Sequence, residues 1–479
     1  MKHPSPIVAL LPVVFLITMV SVAVSSFGSD SLNGANQMIL LGASMLTVFI
    51  GMAFYKTKWA DIEQSIVKNI GGVAPAILIL LMIGALSSTW MLSGIVPTLI
   101  CYGLDIISPQ IFLASTCIIC AIVSVLTGSS WTTVATIGIA LMGIGTALGF
   151  PDGWTAGAII SGAYFGDKIS PLSDTTVLTS STCDVPLFTH IRYMMFTTIP
   201  SITIALVVFC IAGFQFSVTT QADTAAFSQA INEKFVISPW LLIVPVLTGV
   251  LIAKKVPALI TLSISALMAM VTCVIAQQDV LREICDGNLF DGMMLAFFGP
   301  TALLSSNETV SSLIDTNGMA GMLNTVWLII CAITFGATMQ ATKMLEAITL
   351  VFVKLARGLV GLVASSAFTG ILLNTITSDQ YLSIILNSKM FGDVFKQRGY
   401  ENRLLSRTVE DSTTVTSVLI PWNTCGMTQS TVLDVATITY MPYAIFCYIS
   451  PLMSIFVAAL ISKYKVPSTK YDYLHKEET

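Results

Sequence analysis

The stretch GDKISPLSDTT at residues 166–176 decides how this chain has to fold. It carries two carboxylates, four hydroxyl groups, a lysine and a helix-breaking proline, although the sequence around it is largely apolar. Backbone that leaves a helix at membrane depth must find hydrogen-bond partners in protein or in a water-filled cavity. The stretch therefore predicts a broken helix that crosses a membrane and lines the pathway of a polar substrate.

The composition of the 479-residue chain agrees with a membrane protein. Hydrophobic residues make up 55% of the sequence, charged residues only 10%, and the mean hydropathy is +0.85. Because about a quarter of the residues of a soluble protein are charged, a soluble enzyme is excluded. The length allows about ten crossings of ~20 residues each and leaves no room for a sizeable soluble domain. A net charge of -4 provides no basic surface for nucleic acid.

The spacing of apolar runs and basic loops predicts the topology. Eight runs are long enough to cross the bilayer, at residues 7–27, 38–55, 73–92, 189–214, 235–253, 256–276, 319–339 and 438–462. Lys and Arg cluster at 56–68, 254–255, 389–398 and 463–476, whereas 28–36, 215–233 and 277–288 contain few of them. The positive-inside rule then places both termini in the cytoplasm and the chain in the cytoplasmic (inner) membrane.

Four further segments mix apolar and polar residues and predict irregular structure. The segments 109–149 and 358–398 are each interrupted by a short polar tip, TGSS at 127–130 and TSDQ at 377–380. A polar tip between two apolar arms predicts a re-entrant hairpin. The segments 154–184 and 402–434 carry charges, prolines and hydroxyls and predict two broken helices that cross. Together with the eight runs, they predict about ten crossings and two hairpins.

The two halves of the chain resemble each other. At a separation near 250 residues, Ile83-Gly84-Ala85 aligns with Phe335-Gly336-Ala337, and the tip 127–131 aligns with 377–381; at a smaller offset, Thr182-Cys183 aligns with Thr424-Cys425. The predicted fold is an all-α polytopic membrane protein with two inverted repeats, each containing a re-entrant hairpin and a broken transmembrane helix. The predicted divisions are N-terminal helices at 1–68, repeats at 69–214 and 319–462, connecting helices at 215–318 and a cytoplasmic tail at 463–479.

The polar residues of the irregular segments are the candidate site. Carboxylates, hydroxyls and freed carbonyls form the oxygen shell that a hard cation such as Na+ prefers, and a desolvated carboxylate can instead take a proton. The candidate cation- and proton-binding residues of the first half are Asp167, Asp174, Ser170, Thr175, Thr176, Ser129 and Ser130. The structural alternative pairs Asp167 with Lys168 and uses Asp174 to cap the following helix. Lys168 itself is expected to act as an internal counter-ion.

The second half offers a corresponding set. Its candidate residues are Asn374, Asp379, Asp411, Thr413 and Asn423, and Asp411 lies near the position that the repeat assigns to a partner of Asp167. The candidate metal ligands are the carboxylates of Asp167, Asp174, Asp379 and Asp411. The structural alternative has Asp379 cap the second hairpin arm and Glu410 pair with Arg407.

Three segments resemble one family. The run SGAYFGDKISPLSDTT at 161–176 resembles the signature segment of the NhaC family of sodium/proton antiporters, and WMLSGIVPT at 90–98 and PWNTCG at 421–426 resemble segments of the same family. The resemblance spans roughly residues 70–460. It implies paired hairpins, a transport domain that moves against a scaffold, and often a homodimer. One branch of the family resembles exchangers that couple Na+ and H+ to malate and lactate.

The leading prediction is a secondary transporter, not an enzyme, that exchanges Na+ for H+ by alternating access. It needs no cofactor besides the transported ions, and its partners are a small inorganic cation and the lipid bilayer. The alternative is a Na+/H+-coupled carboxylate exchanger on the same fold, for which Trp131, Tyr381, Asn423 or a helix N-terminus could bind a small carboxylate. Neither hairpin tip contains an Arg for an organic anion, which favours the inorganic ion. A membrane hydrolase is disfavoured because the three histidines, at positions 3, 190 and 475, do not form a catalytic or metal cluster in the sequence.

Overall fold

The computed structural model describes residues 4–27, 31, 34–216, 221–285 and 288–464. The predicted tail at 463–479 lies almost entirely outside them. The first half consists of α1 (Pro6–Phe27), α2 (Ala35–Tyr55), α3 (Trp59–Leu92), α4 (Ile95–Ile106), α5 (Phe112–Thr127), α6 (Ser130–Thr133), α7 (Ile139–Ala147), α8 (Asp152–Ile169), α9 (Asp174–Thr182) and α10 (Leu187–Gln215). A π-helical turn, Val134–Gly138, joins α6 to α7.

The second half continues the all-helical structure. Its helices are α11 (Gln221–Lys234), α12 (Ile243–Ala253), α13 (Ala258–Ala276), α14 (Gln278–Glu283), α15 (Leu289–Phe298), α16 (Glu308–Ile314), α17 (Leu323–Ala341), α18 (Met344–Leu355), α19 (Gly358–Thr377), α20 (Gln380–Gln397), α21 (Asn402–Val409), α22 (Thr424–Leu433), α23 (Thr437–Tyr440) and α24 (Ile445–Tyr464). A second π-helical turn, Glu410–Thr414, follows α21. Short 3-10 turns lie at Pro109–Ile111, Pro239–Leu242, Ala320–Met322, Ser417–Leu419 and Met441–Tyr443. No β-strand occurs in the described ranges, which contain one isolated bridge between Thr301 and Thr316.

Ten helical stretches within the described residues are long and apolar enough to cross a membrane. Their number agrees with the prediction of an all-α polytopic membrane protein. Three of them, however, are arms of the predicted hairpins (Pro109–Thr127, Ser130–Ala147 and Gly358–Thr377), and neither the run 235–253 nor the two predicted broken helices are among them. Residues 235–253 were expected to form one spanning helix, whereas a 3-10 turn and the 11-residue α12 occupy the end of this run. The stretch Pro239–Ala253 is bent by 85° from Thr224–Lys234. Pro239 cannot donate a backbone hydrogen bond and starts a new helix direction.

Both predicted hairpin tips are tight turns between helices. At the first tip, Gly128 has φ 67 and the Ser129 side chain caps α6. At the second tip, Ser378 has φ 58 and the Asp379 side chain caps α20. The arms α19 and α20 pack on each other, and α5 contacts α6. Each polar tip therefore supplies the left-handed residue and the N-cap that a sharp reversal between two helices requires.

Both predicted broken helices are also present. The first consists of α8 and α9, and the intervening residues Ser170–Ser173 include Pro171. The second consists of α21, the π-helical turn, the 3-10 turn Ser417–Leu419 and α22, with Pro421 in its break. Ser173 caps α9 and Asn423 caps α22. These caps satisfy the amide groups that the breaks expose, as the location in an apolar segment demands.

The same local features recur at one separation along the chain. Residues with a left-handed backbone occur 250 residues apart (for example 378 minus 128) in two pairs, Gly128 with Ser378 and Asp184 with Asp434. N-cap residues show the same separation, Ser129 with Asp379 and Ser173 with Asn423. Two sequence pairings are therefore wrong. Thr182-Cys183 ends α9 whereas Thr424-Cys425 begins α22, and Ser417, not Asp411, lies 250 residues after Asp167. The inverted orientation of the two units stays a prediction.

The hairpin and broken helix of each half pack against those of the other half. The second arm of the first hairpin contacts α22, the second half of the other broken helix, and α20 contacts α9. The helices α10 and α24, which follow the two broken helices, also pack on each other. Consequently both hairpin tips and both breaks meet in the interior.

Glycines set the distance between α5 and α8. A Cβ atom at Gly162 would lie 2.1 Å from the Cys117 carbonyl oxygen, and one at Gly166 would lie 2.4 Å from the Ala121 carbonyl oxygen. Between them, the Ser124 hydroxyl donates to the Ala163 carbonyl oxygen at 2.6 Å. Because the backbones touch, α8 is held against the first hairpin arm and Asp167 is brought to its tip.

We expect Gly162→Ala to lower the melting temperature of the purified protein in detergent. The added methyl group overlaps backbone that cannot move aside, and overpacking of this kind costs about 1–3 kcal/mol. Gly72→Ala on α3 is the matched control, because no atom lies within 4 Å of its added methyl group. Equal melting temperatures for the two variants would contradict the close packing of α5 and α8.

Candidate ion-binding site

Asp167 ties the first hairpin to the first broken helix. It lies near the end of α8, and its side chain is 7% exposed. Its Oδ2 accepts hydrogen bonds from the Ser130 backbone amide at 3.1 Å and from the Ser130 hydroxyl at 2.7 Å. Among the described residues, no Lys, Arg or His nitrogen lies within ion-pair distance of Asp167, whose carboxylate is thus bonded only by neutral groups.

The other hydroxyls predicted in the first half mainly hold the chain in place. The Ser170 hydroxyl donates to the Val125 carbonyl oxygen at 2.8 Å, and the Thr176 hydroxyl donates to that of Lys168 at 3.0 Å. Ser129 accepts from the Thr132 amide at 3.2 Å. Thr175 contacts the Ser173 hydroxyl at 3.0 Å. These contacts fix the break, and a role of the same oxygens as cation ligands stays a prediction.

Asp174 is exposed, unlike Asp167. It is the first residue of α9, and the preceding Ser173 provides the cap by accepting from the Thr176 amide at 3.4 Å. The structural alternative in which Asp174 caps α9 is therefore wrong. Its carboxylate is close enough to Asp167 for the two charges to interact.

Lys168 is a buried counter-ion, as expected, but its partner is Asp411. The Lys168 ammonium forms an ion pair with Asp411 Oδ1 and donates to the Ser450 hydroxyl at 3.0 Å. Asp411 also accepts from the Thr197 hydroxyl at 3.1 Å, and Arg407 Nε lies 3.8 Å from its other oxygen. The alternative pairing of Lys168 with Asp167 is wrong. The buried salt bridge therefore links Asp411 of the second broken helix to Lys168 of the first.

Three of the predicted residues of the second half, Asn374, Thr413 and Asn423, form a connected network. The Asn374 amide donates to the Thr413 carbonyl oxygen at 2.6 Å. Asn423 donates to the Asn374 carbonyl oxygen at 3.1 Å and caps α22 through the Cys425 amide at 3.0 Å. The Thr413 hydroxyl accepts from Asn387 at 3.0 Å. The Asp379 carboxylate accepts from the Leu382 amide at 2.7 Å, so the capping alternative for this residue is confirmed.

Two neutral oxygen atoms in or beside this network are buried without a hydrogen-bond partner among the described residues. They are Asn374 Oδ1 and Ser378 Oγ at the second hairpin tip. Buried polar atoms normally have partners, so such atoms need an explanation. Neutral oxygens of this kind suit a small hard cation. Within the described ranges, however, no three Asp, Glu, His or Cys side chains converge as a metal site, so the four predicted carboxylates do not form one cluster.

Cys425 at the start of α22 lies where the two hairpin tips meet. Its thiol contacts Gln380 Oε1 of the second tip at 3.2 Å, and Trp131 of the first tip lies beside it. The sequence reasoning did not select this residue. Only its position at the first turn after a proline-containing break could have indicated a role.

Glu410 is the carboxylate that the sequence reasoning missed. It is fully buried at the start of the π-helical turn, and the structural alternative pairs it with Arg407. Instead it accepts hydrogen bonds from the Thr179 hydroxyl at 2.5 Å and the Thr175 hydroxyl at 3.4 Å. The irregular turn directs Glu410 and Asp411 towards different neighbours. The sequence Glu410-Asp411 does not show which neighbours the two side chains contact, because adjacent side chains also point in different directions in an ordinary helix.

A cavity of about 560 Å³ lies between α3, α17 and α22. Its lining, taken from the described part of the chain, includes Asp315, Asn317 and Asp434 and contains neither Lys nor Arg. Pro421 at the second break also lines it. The cavity therefore runs from an acidic rim to the neighbourhood of the second broken helix.

These features define a class: a multi-pass membrane protein in which two broken helices and two hairpin tips enclose polar groups, the arrangement of secondary transporters. A sequence profile described as the Na+/H+ antiporter family matches residues 2–184 and 162–460. The chain therefore belongs to the NhaC-type Na+/H+ antiporter family, as the sequence resemblance predicted, and so to a family of transporters.

Individual relatives agree with this assignment. The chain is 36% identical to the Na+/H+ antiporter NhaC of Alkalihalophilus pseudofirmus over 84% of this chain and 85% of the relative. It is 34% identical to NhaC of Bacillus subtilis over 88% and 91% of the two chains. It is also 36% identical to a malate-2H+/Na+-lactate antiporter of B. subtilis over 85% of each chain.

We expect Lys168→Met and Asp411→Asn each to lower the melting temperature strongly. Each leaves the opposite charge buried and unpaired, which costs about 3–5 kcal/mol. The double variant should lose less than the sum of the single losses, because the two side chains interact directly.

The pair Lys234 and Glu283 provides the control. Its side chains are 24% and 41% exposed, and an exposed pair contributes at most about 1 kcal/mol, so Lys234→Met should change the melting temperature little. Additive losses at Lys168 and Asp411 would refute the assignment of a coupled buried pair.

Proposed function

We propose that the protein exchanges Na+ for H+ across the cytoplasmic membrane by alternating access, with Asp167 at the centre of the transport site. One observation carries the proposal: Asp167 is a buried carboxylate bonded by neutral groups of Ser130 and Ser173 and compensated by no basic group of the described residues. An ionised carboxylate in an apolar interior is costly without a cation. Binding of Na+ or of a proton relieves the same cost, so the two ions compete for one group.

The break between α8 and α9 would supply the rest of the cation shell. The Ser173 hydroxyl bonds the Asp167 carboxylate, and the hydroxyls of Ser170, Thr175 and Thr176 belong to the same broken helix. Asp174 is exposed beside it and would attract the cation before it reaches Asp167. The acidic cavity at Asp315 and Asp434 would serve as the aqueous approach from the opposite side.

The proposed architecture keeps the units 69–214 and 319–462 as inverted repeats. The exchange of packing partners between the hairpins and the broken helices supports it. The basic loops favour a cytoplasmic location for both termini, and the family resemblance implies a homodimer. Movement of the joined hairpins and broken helices against α2, α3, α13 and α17 would expose Asp167 to each side in turn.

A Na+/H+-coupled carboxylate exchanger is the second candidate. A relative with 36% identity is named as a malate/lactate antiporter. The structure adds Arg407, which is fully buried and whose three guanidinium nitrogens have no hydrogen-bond partner among the described residues. Such a group could bind a carboxylate if the site opened. Asp411 is 3.8 Å from it and already balances part of its charge, which favours the inorganic ion.

We expect Asp167→Asn to reduce Na+-dependent proton movement in proteoliposomes to the level of empty liposomes. An amide cannot exchange a proton and is a weaker cation ligand than a carboxylate. Asp174→Asn should instead raise the Na+ concentration for half-maximal exchange. Glu346→Gln, at an exposed acid on α18, is the matched control and should behave as wild type. Near-normal exchange by a folded Asp167→Asn protein would eliminate the proposed site.

The two candidate substrates differ in what must be present before protons move. If Na+ and H+ share Asp167, the apparent Na+ affinity should fall as the pH is lowered, and no organic acid should be needed. A carboxylate exchanger should move protons only when malate or lactate is added. Wild-type protein that is silent with Na+ from pH 6 to 9 yet active with a carboxylate would replace the first candidate by the second.

A further inference from the structure

The neighbouring acids Glu410 and Asp411 have opposite electrostatic environments. Asp411 is compensated by Lys168 and lies 3.8 Å from Arg407. Glu410, equally buried, has no Lys, Arg or His nitrogen within ion-pair distance among the described residues, and two threonine hydroxyls of α9 bond it. The Lys168 ammonium balances the charge of Asp411, whereas the charge of Glu410 has no ion-pair partner and can be neutralised by a proton.

The groups around Glu410 come from several elements. Lys168 and Asp167 on α8 and Cys183 after α9 are close enough for charge interactions. On α20, the charged Lys389, Asp393 and Lys396 are exposed, and α19 contains no charged residue. On α10, His190 is bonded to Ser406 at 2.9 Å. No Lys, Arg or His of the described residues thus forms an ion pair with Glu410.

The hydroxyl partners suit both protonation states. A threonine hydroxyl donates to an ionised carboxylate and accepts from a protonated one, so Thr179 can stay bonded to Glu410 in either state. The two partners lie on α9, the second half of the first broken helix, whereas Glu410 belongs to the second broken helix. The three hydroxyls near Glu410, those of Thr175, Thr179 and Thr414, are fewer oxygen ligands than a hard cation takes. The contact therefore suits a proton rather than Na+.

We propose that Glu410 binds a second transported proton, separate from the ion that Asp167 holds. The proposal rests on the Na+/H+ exchange proposed above. Each cycle would then carry one Na+ in one direction and two protons in the other, because Asp167 exchanges its Na+ for one proton and Glu410 carries another. One net positive charge crosses per cycle, and the exchange is electrogenic.

The test compares wild type, Glu410→Gln and Glu346→Gln in proteoliposomes whose membrane potential is set with K+ and valinomycin. Wild type and Glu346→Gln should change their Na+/H+ exchange rate with the potential. Glu410→Gln should retain exchange through Asp167 but lose the dependence on potential. Potential-independent exchange by wild type, or potential-dependent exchange by Glu410→Gln, would overturn the proposal. Wild type without any Na+/H+ exchange would instead refute the underlying function.

Thr179→Val decides the question if Glu410→Gln is inactive or unfolded. It preserves the carboxylate and the shape of the side chain but removes the donor at 2.5 Å. The ionised form loses a hydrogen bond, so half-maximal exchange should move to higher pH by about one unit. Thr203→Val, at an exposed position of α10, is the control. An unchanged pH profile for Thr179→Val would overturn the role of Glu410.

Discussion

Compensation of buried charge is the constraint on which the rest of this structure depends. Among the described residues, the buried carboxylates are Asp167, Asp379, Glu410 and Asp411, whereas the buried Lys and Arg side chains are Lys168 and Arg407. Both bases lie at Asp411. The remaining acids rely on helix N-termini and hydroxyls, which stabilise a negative charge less than a cation does. Because buried acids outnumber buried bases, binding of a cation or a proton would lower the electrostatic cost of this interior.

The irregular backbone follows from the same constraint. Helix breaks inside an apolar body expose amide and carbonyl groups that must be bonded. Ser129, Ser173, Asp379 and Asn423 bond the amides as N-caps, and the Ser130 amide is bonded by Asp167. Candidate site residues thus also bond the backbone groups that the breaks expose. A cation that bound there would have to compete with, or replace, some of these internal contacts.

The two units share their backbone features but not their chemistry. Position 167 carries a carboxylate, whereas the position 250 residues later is Ser417, whose hydroxyl donates to the Thr414 carbonyl oxygen at 2.7 Å. The second unit has its acids at Glu410 and Asp411 instead, on a π-helical turn. In the proposed mechanism, a site built from unlike halves would offer one carboxylate to the cation and a different one to a further proton. A symmetric site could not make this distinction.

The sequence by itself determined the class of fold and the positions of most turns and helix breaks. Polar tips at 127–130 and 377–380 and the proline-containing segments at 166–176 and 421–426 interrupt apolar runs, and short-range rules on caps and helix breaks suffice to locate them. The match of the 161–176 segment to NhaC-type antiporters likewise needs no structure. These inferences hold because they depend on residues within a few positions of one another.

Only the tertiary structure decided which charges compensate which. The partner of Lys168 lies 243 residues away at Asp411, and Glu410 faces Thr179 rather than Arg407, three residues before it. The bend before α12 and the π-helical turn were equally absent from the sequence pattern. Ion pairing inside an apolar body depends on the orientation of side chains from distant segments. That orientation arises only when the two broken helices pack together.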